Sequence, residues 1–516
     1  MPGAVHDRRW WILGVLCVVV LIVVIDNTIV NVALPVLSRD LRASNSSLQW
    51  IVDGYSLPFA GLLLAGGGLS DRFGRKRVMQ FALGSFGAFS LLAAFSSSVP
   101  TLLVARALMG ASAAFIFPAT LSTLTVVFDD LSERAKALGF WGAASGVAIA
   151  IGPVAGGALL VHFWYGSIFI INAPLVLIAI VASAYVVPES KSPQRRRVDL
   201  GGLALGTVGV TFLTLAIIEG PSWGWRSVAT TLLFVAAALS LISFVFYELH
   251  REGPLLDVRI FTNRSFSTSA GAIAVNYFCL FGFIFLITQY FQLIRGYSAL
   301  SAGVHTLPFA AVVMVATPLS AQAALRFGAR VVVASGLFLE SLALAYGSVV
   351  AAHAAYFGPV IAMMVVLALG FSLVNAPSTA SLMATLRPDQ IGAGSAVNET
   401  TRELAGTMGV AVVGSVFSSL FGPKVLAALT PYLSKGLTKA QLHVAVSSTQ
   451  AAQATVAHFP ASLRPGLDTQ VTNAFMVGLH RGCLVASGAA IVAVIFVLAR
   501  LPVASRTLAT SEVLRV

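Results

Sequence analysis

The chain has 516 residues, of which 57% are hydrophobic and only 10% charged, with a mean hydropathy of +0.89. A soluble domain is about 45–50% apolar and about 25% charged, so this composition excludes an ordinary soluble globular protein. The net charge of +12 would suggest a nucleic-acid partner in a soluble chain; among apolar runs it reads instead as basic loops that set topology, and no nucleic acid is expected. Cys17, Cys279 and Cys483 all lie in apolar segments, so no disulfide framework is expected.

Taken in order, apolar runs long enough to cross about 30 Å as helices recur along the whole chain. Fourteen spans are expected, at roughly 11–35, 47–70, 77–97, 100–125, 137–161, 165–188, 199–219, 227–248, 267–293, 302–325, 330–352, 355–385, 395–420 and 477–502. The first run is too long for a cleaved signal, and no small-residue cleavage pattern follows it. With the N-terminus inside, about 21 Lys and Arg fall in inner loops and about 8 in outer ones. That bias places both termini in the cytoplasm and supports an even number of spans. The segment PESKSPQRRRVD (188–199) reads as a cytoplasmic connector. The stretch 421–476 is the one long polar insert, expected outside as a small amphipathic cap or hairpin.

An internal echo suggests duplication. LSDRFGRKRV (69–78) follows the second span and ALRFGARVVV (324–333) follows the tenth, with Asp71 aligned on Leu325. Parallel repeats of this kind build transporters from two pseudo-symmetric halves. The expected fold class is therefore an all-α polytopic membrane protein with two six-helix bundles, 1–188 and 267–516. The segment 189–266 supplies a linker and two extra central helices.

Ionisable residues inside apolar runs are costly and mark candidate function. At 1.5 Å per residue, Asp26 lies about 24 Å from the inner edge and Arg106 about 9 Å below the outer edge; Asp53 falls at a similar depth. Burial disfavours a charged carboxylate and a neighbouring cation favours it, so a carboxylate balanced this way can exchange a proton near neutral pH. Asp26 is thus either half of a structural ion pair or a proton carrier, and spacing alone leaves both open. NETTRELAG (398–406) places Glu399 and Glu403 one turn apart on one face, with Arg402 three residues after Glu399. It is either an internally paired entry turn or a second protonation or cation site. Glu340 stands alone near mid-membrane.

These residues sit in motifs. DNTIVNVALP (26–35), WIVDGYSL (50–57), GGLSDRFGRKR (67–77), LLVARALMGASAA (102–114), GVAIAIGPVAGG (146–157) and GWRS (224–227) together resemble the fourteen-helix drug:proton antiporters of the major facilitator superfamily, over nearly the whole chain. Met109 stands where that family often has glutamine. The tenth span, PFAAVVMVATP (308–318), lacks the extra acid that some dication-handling members carry. The resemblance implies proton coupling through Asp26, Arg106, Asp53, Glu399 and Glu403. It also implies conformational gating through Gly67, Asp71, Arg72, Gly74, Arg75, Gly146, Gly152, Pro153, Gly156 and Gly157. Asp71 is expected to meet a helix N-terminus, where the dipole favours negative charge, and so to latch the inner side.

No Walker A, HExxH, GxSxG or CxxC string occurs, so neither an ATPase nor an enzyme is expected, and no metal or cofactor. The expected function is a proton-driven exporter of lipophilic, cationic or amphipathic drugs across the cytoplasmic membrane. It would act as a monomer in the bilayer, on a small lipophilic substrate and protons, with Tyr55, Phe59, Phe115, Trp141 and Tyr290 as candidate substrate-lining aromatics. The rival reading is an exporter of a lipid or cell-envelope metabolite on the same scaffold, since fold does not fix cargo.

Overall fold

The computed structural model describes residues 8–128, 130–191, 199–251, 256–386, 391–435 and 437–502. Most of the connector 188–199 lies outside the described residues. The helices are α1 Arg9–Asp40, α2 Asn45–Phe73, α3 Arg75–Ala94, α4 Val99–Val127 and α5 Leu131–His162. They continue with α6 Ser167–Val186, α7 Leu200–Trp223, α8 Val228–His250 and α9 Arg264–Ile294, whose last turn is a π-helix. The set closes with α10 Ala299–Phe327, α11 Ala329–Gly347, α12 Tyr356–Met383, α13 Ile391–Leu429 and α14 Arg464–Arg500. Thirteen of these are long and apolar enough to cross a membrane as they stand. The fourteenth, α2, joins them once its bend of 57° between Leu63 and Ala65 is counted as one span.

Local chemistry sets the boundaries. Ser44, Ser98, Asp130, Ser227 and Ser298 each accept a hydrogen bond from the backbone N–H three residues on, satisfying donors that a helix start leaves unpaired. The two R-F-G strings mark equivalent corners. Gly74 (φ +113°) ends α2 and Gly328 (φ +87°) ends α10, each returning its N–H to the carbonyl four residues back. Both need the left-handed region that glycine enters freely.

Helices α1–α6 pack into one bundle and α9–α14 into the other, while α7 lies against both α2 and α13. Helix α8 pairs with α7 and presents Leu232, Leu239, Ile242 and Phe246 outward, an apolar face suited to lipid. The polar insert is shorter than 421–476. Helix α13 runs on to Leu429 and α14 begins at Arg464, leaving a 3-10 turn and two short helices, Lys439–Ser447 and Thr449–Val456, between them. The falling hydropathy marks where the chain leaves oil, whereas helical hydrogen bonding continues past that level.

The two side-chain hydrogen bonds that cross directly between bundles among the described residues lie at one end. Gln292 Nε2 donates to the Val32 carbonyl at 2.8 Å, and Ser38 Oγ donates to Ser448 Oγ at 3.2 Å. At the other end the described ion pairs stay within a bundle, as in Arg9–Glu133 at 2.8 Å and Asp71–Arg75 at 2.7 Å. The direct side-chain bridges described between the halves thus lie where α1 ends.

Close helix approach depends on missing side chains. A Cβ on Gly66 would lie 2.1 Å from the Ala114 carbonyl oxygen, whereas one on Gly67 would meet nothing nearer than Pro118 at 3.8 Å. Gly66→Val is expected to cost about 2 kcal/mol or more through forced separation of α2 and α4. Gly67→Ala should be tolerated. Thermal unfolding of the two variants in mild detergent checks the contrast.

Candidate functional site

Two of the fully buried charges in the first bundle, Asp26 and Arg106, form one network. Asp26 on α1 and Arg106 on α4 both have zero exposure, and Arg106 Nη1 lies 2.6 Å from Asp26 Oδ2. The other carboxylate oxygen accepts from Asn172 Nδ2 of α6 at 2.7 Å. The same nitrogen lies 3.0 Å from Ser90 Oγ of α3. Arg106 Nε donates to the Ile51 carbonyl of α2 at 3.1 Å, and the guanidinium carbon sits 4.4 Å from the centre of the Tyr55 ring, a cation–π distance. The Tyr55 hydroxyl donates to the Val23 carbonyl at 3.3 Å. Charge-assisted hydrogen bonds of this length are the strong kind.

The sequence explains the geometry. Gly110 follows Arg106 by one helical turn and shares its face; a Cβ there would lie 2.0 Å from the Tyr55 carbonyl oxygen. The glycine lets α2 come close enough for Arg106 to reach a backbone carbonyl on it.

Asp53 does not join this network. It is fully buried, and neither carboxyl oxygen has a hydrogen-bond partner. Equal depth is not equal direction: Ile51 and Tyr55 bracket Asp53 and serve Arg106, while Asp53 shares a face with Gln49. Gln49 lies where a Cβ on Gly414 of α13 would meet its Nε2 at 2.4 Å. Arg106 thus pairs with Asp26 alone rather than sitting between two carboxylates.

In the second bundle, Arg402 Nη1 lies 3.4 Å from Glu399 Oε2. Its Nη2 lies 3.2 Å from Asn375 Oδ1 and 3.0 Å from Thr379 Oγ1 of α12, and its carbon lies 5.3 Å from the Tyr277 ring centre on α9. Glu403 is half-buried. It lies 12 residues past the start of α13, about 18 Å along it. Glu340 on α11 is buried, and its Oε2 has no hydrogen-bond partner.

The expected gating residues divide by location. Gly74 makes the α2–α3 corner. Asp71 Oδ1 accepts from Arg75 Nε and Nη2 at 2.9 and 2.7 Å rather than meeting a helix N-terminus. The start of the adjoining helix α3 is served by Glu189, which accepts from the Lys76 and Arg77 backbone N–H groups at 3.2 and 3.3 Å. Arg72 is exposed and lies over Phe73 at 5.2 Å. On α5, a Cβ on Gly152 or Gly156 would strike Thr28 or Ile29 of α1 at 2.0 and 2.5 Å, and one on Gly157 would strike Leu300 of α10 at 2.5 Å. The Pro153 carbonyl faces Gly303 in the same way, whereas a Cβ on Gly146 would meet nothing within 4 Å.

Four aromatics form a chain from the ion pair: Tyr55–Phe59 at 5.9 Å, Phe59–Phe117 at 6.0 Å and Phe117–Trp141 at 4.8 Å between ring centres. Phe115 is half-buried and has no described ring contact in this chain, which runs through Phe117. Tyr290 lies apart, its hydroxyl 3.1 Å from the Ala352 carbonyl. Sequence pattern alone does not single out Asn172, Ser90, Phe117 or Glu189 for this site; a lone amide in the apolar run FIINAPLVL is the available signal for the first.

Two six-helix bundles with mirrored glycine corners, buried charge in each and bridges between them at one end define a membrane transporter rather than an enzyme. The chain belongs to the Major Facilitator Superfamily, whose family model matches residues 16–410. It is 35% identical over 500 residues to the multidrug efflux pump LfrA of Mycolicibacterium smegmatis, covering 95% of this chain and 96% of that one. It is 34% identical over 427 residues to the methyl viologen resistance protein SmvA of Salmonella typhimurium, covering 81% and 84%. Among solved structures, a bacterial homologue of the human lysosomal transporter Spinster superposes with a TM-score of 0.66 at 17% identity, covering 96% and 99%; this likeness concerns the fold.

Removing one partner of a buried pair strands the other charge, at a cost of about 3–5 kcal/mol. Arg106→Ala is expected to destabilise the first bundle by that order. The double variant Asp26→Asn/Arg106→Gln should recover much of the loss. Unfolding curves of the two proteins in one detergent test the coupling.

Proposed function

We propose that the chain is a proton-coupled antiporter that exports lipophilic, cationic or amphipathic drugs across the cytoplasmic membrane by alternating access. Both termini would lie in the cytoplasm, and a single chain would suffice. Its relatives' printed names, a multidrug efflux pump and a methyl viologen resistance protein, support drug export. Lys and Arg bias supports the orientation, under which the bridges between the halves near the end of α1 lie on the outer side, as an inward-facing conformation requires.

The observation that carries proton coupling is the Asp26–Arg106–Asn172 network at zero exposure. A proton arriving at Asp26 removes one charge of the pair and weakens its hold across α1, α4 and α6. The two conformations then differ in proton affinity, and a proton gradient shifts their populations. Drug and proton share the cavity between the bundles in turn and leave on opposite sides. Glu399 and Glu403 provide a second titratable pair on α13, and Asp53 a third group at the seam between α2 and α13. The glycine and proline contacts of α5 and the α2–α3 corner serve as the surfaces on which the bundles move.

Inverted membrane vesicles with an acidified lumen are expected to accumulate a quaternary ammonium dye. Asp26→Asn should reduce this gradient-driven uptake to the level of empty vesicles while dye binding persists. Uptake that survives collapse of the gradient would refute proton coupling. Movement of labelled lipid without dye would point to the lipid or envelope-metabolite cargo instead.

A further inference from the structure

Helix α7 lies along the seam between α2 and α13 and touches both. Three helices meet near the start of α2. Gln49 and Trp50 are neighbours there and face different partners. Gln49 faces α13, where a Cβ on Gly414 would meet its Nε2 at 2.4 Å. Trp50 faces α7, and its Nε1 donates to Glu219 Oε1 at 3.0 Å. Ser222 Oγ donates to the other carboxylate oxygen at 2.9 Å. From α13, Ser415 Oγ donates to the Ile217 carbonyl of α7. Trp225, just past the end of α7, donates from Nε1 to Ser419 Oγ of α13 at 3.2 Å.

The two holds on α7 differ in number and in place. Ser415 and Ser419 stand one turn apart on one face of α13, so that helix grips α7 and its exit at two points. The Trp225 ring also closes over Gly220, where a Cβ would lie 2.7 Å from it. On α2, Trp50 makes the one side-chain hydrogen bond to α7 among the described residues. The other close contact on α2 lies deep in the membrane. A Cβ on Gly61 would meet Thr207 Oγ1 of α7 at 2.8 Å, about 16 Å along α2 from Trp50.

We propose that the Trp50–Glu219 bond is a latch that opens in every transport cycle, and that α7 travels with the second bundle while turning on α2 at the Gly61–Thr207 contact. When α2 and α13 separate at this end, the Gln49–Gly414 contact is lost and α7 cannot follow both helices. It is bonded twice to α13 there and once to α2. Its remaining contact with α2 lies deep, where a rocking motion displaces the helices least, and so can serve as the pivot. Trp50 and Glu219 are positioning residues. Their bond exists only in the closed arrangement and so weights the balance between the two conformations. This inference rests on the alternating-access reading above, and one of the cross-links below tests that reading separately.

The experiment uses the full chain with Cys17, Cys279 and Cys483 replaced by alanine, in vesicles that export a quaternary ammonium dye. Cysteine pairs are joined by a short thiosulfonate cross-linker that reductant removes, so each protein is its own control. Linking Trp50→Cys to Glu219→Cys is expected to lower efflux at least tenfold, with recovery on reduction. Linking Trp225→Cys to Ser419→Cys should leave efflux within twofold. Efflux that survives the first link, or is lost with the second, overturns the proposal. Linking Val32→Cys to Gln292→Cys ties the bundles directly. If efflux survives that link, the alternating-access reading falls and the latch with it; if that link blocks and the Trp50–Glu219 link does not, the latch alone falls. A second arm needs no transport. Trp50→Phe, which loses only the indole N–H donor, should speed labelling of Gln49→Cys by an external membrane-impermeant maleimide at least threefold, whereas Glu219→Gln keeps a carbonyl acceptor and should not. Labelling that Trp50→Phe leaves unchanged overturns the latch.

Discussion

An ion pair with no access to solvent governs the first bundle. Asp26 and Arg106 stand 2.6 Å apart at zero exposure, and moving two such charges out of water carries several kcal/mol per ion even after relaxation. Every remaining donor and acceptor nearby matters for that reason. Asn172 reaches the free carboxylate oxygen, Ile51 lends a carbonyl to the guanidinium, and Tyr55 covers its face. Four helices must converge to within hydrogen-bonding distance, and the bare backbones at Gly110 and Gly66 allow it. Electrostatics thus dictates helix spacing, and helix spacing dictates where glycine stands.

Much of this was legible in the sequence because membrane burial makes charge conspicuous. Asp26, Arg106 and the Glu399–Arg402 turn stand out in apolar runs, and the R-F-G strings announced two corners that carry positive φ at Gly74 and Gly328. What stayed hidden has physical causes. Asn172 is neutral, so it interrupts an apolar run without the signature of a charge. Asp53 was drawn to Arg106 by depth alone; a residue two steps from both Ile51 and Tyr55 turns about 200° away from them at 3.6 residues per turn. Glu189 lies beyond α6 and finds the start of α3 only through the fold. Hydropathy stops α13 near 420 and starts α14 near 477, short of Leu429 and Arg464, because it reports the lipid boundary, whereas a helix ends where its hydrogen bonds do.

The two bundles are not electrostatic copies. The first holds one tightly closed pair in its interior. The second holds Arg402 between Glu399, two neutral polar side chains and an aromatic face, on the helix that also runs along α2. The two halves share a glycine corner at Gly74 and Gly328, while charge is placed differently in each. Helix α7 adds a further asymmetry by lying on one seam only, so the surfaces on which the bundles could slide are unequal on the two sides of the molecule.

Under the proposed proton-coupled reading, the pair does more than hold the helices together. Apolar residues of similar volume commonly serve a buried site as well as an ion pair or better, and the surrounding helices already interlock through small-residue contacts. The distinctive property is that each partner has support of its own. Arg106 also bonds Ile51 and lies against the Tyr55 ring, and Asn172 also bonds Ser90. Under the proposed reading, a proton on Asp26 would leave the Arg106 charge held by these neutral contacts alone, a cost that favours a change of conformation. A reversible proton site needs such a cost in order to drive the change, and an ion pair serving only as a fastener has no need of it.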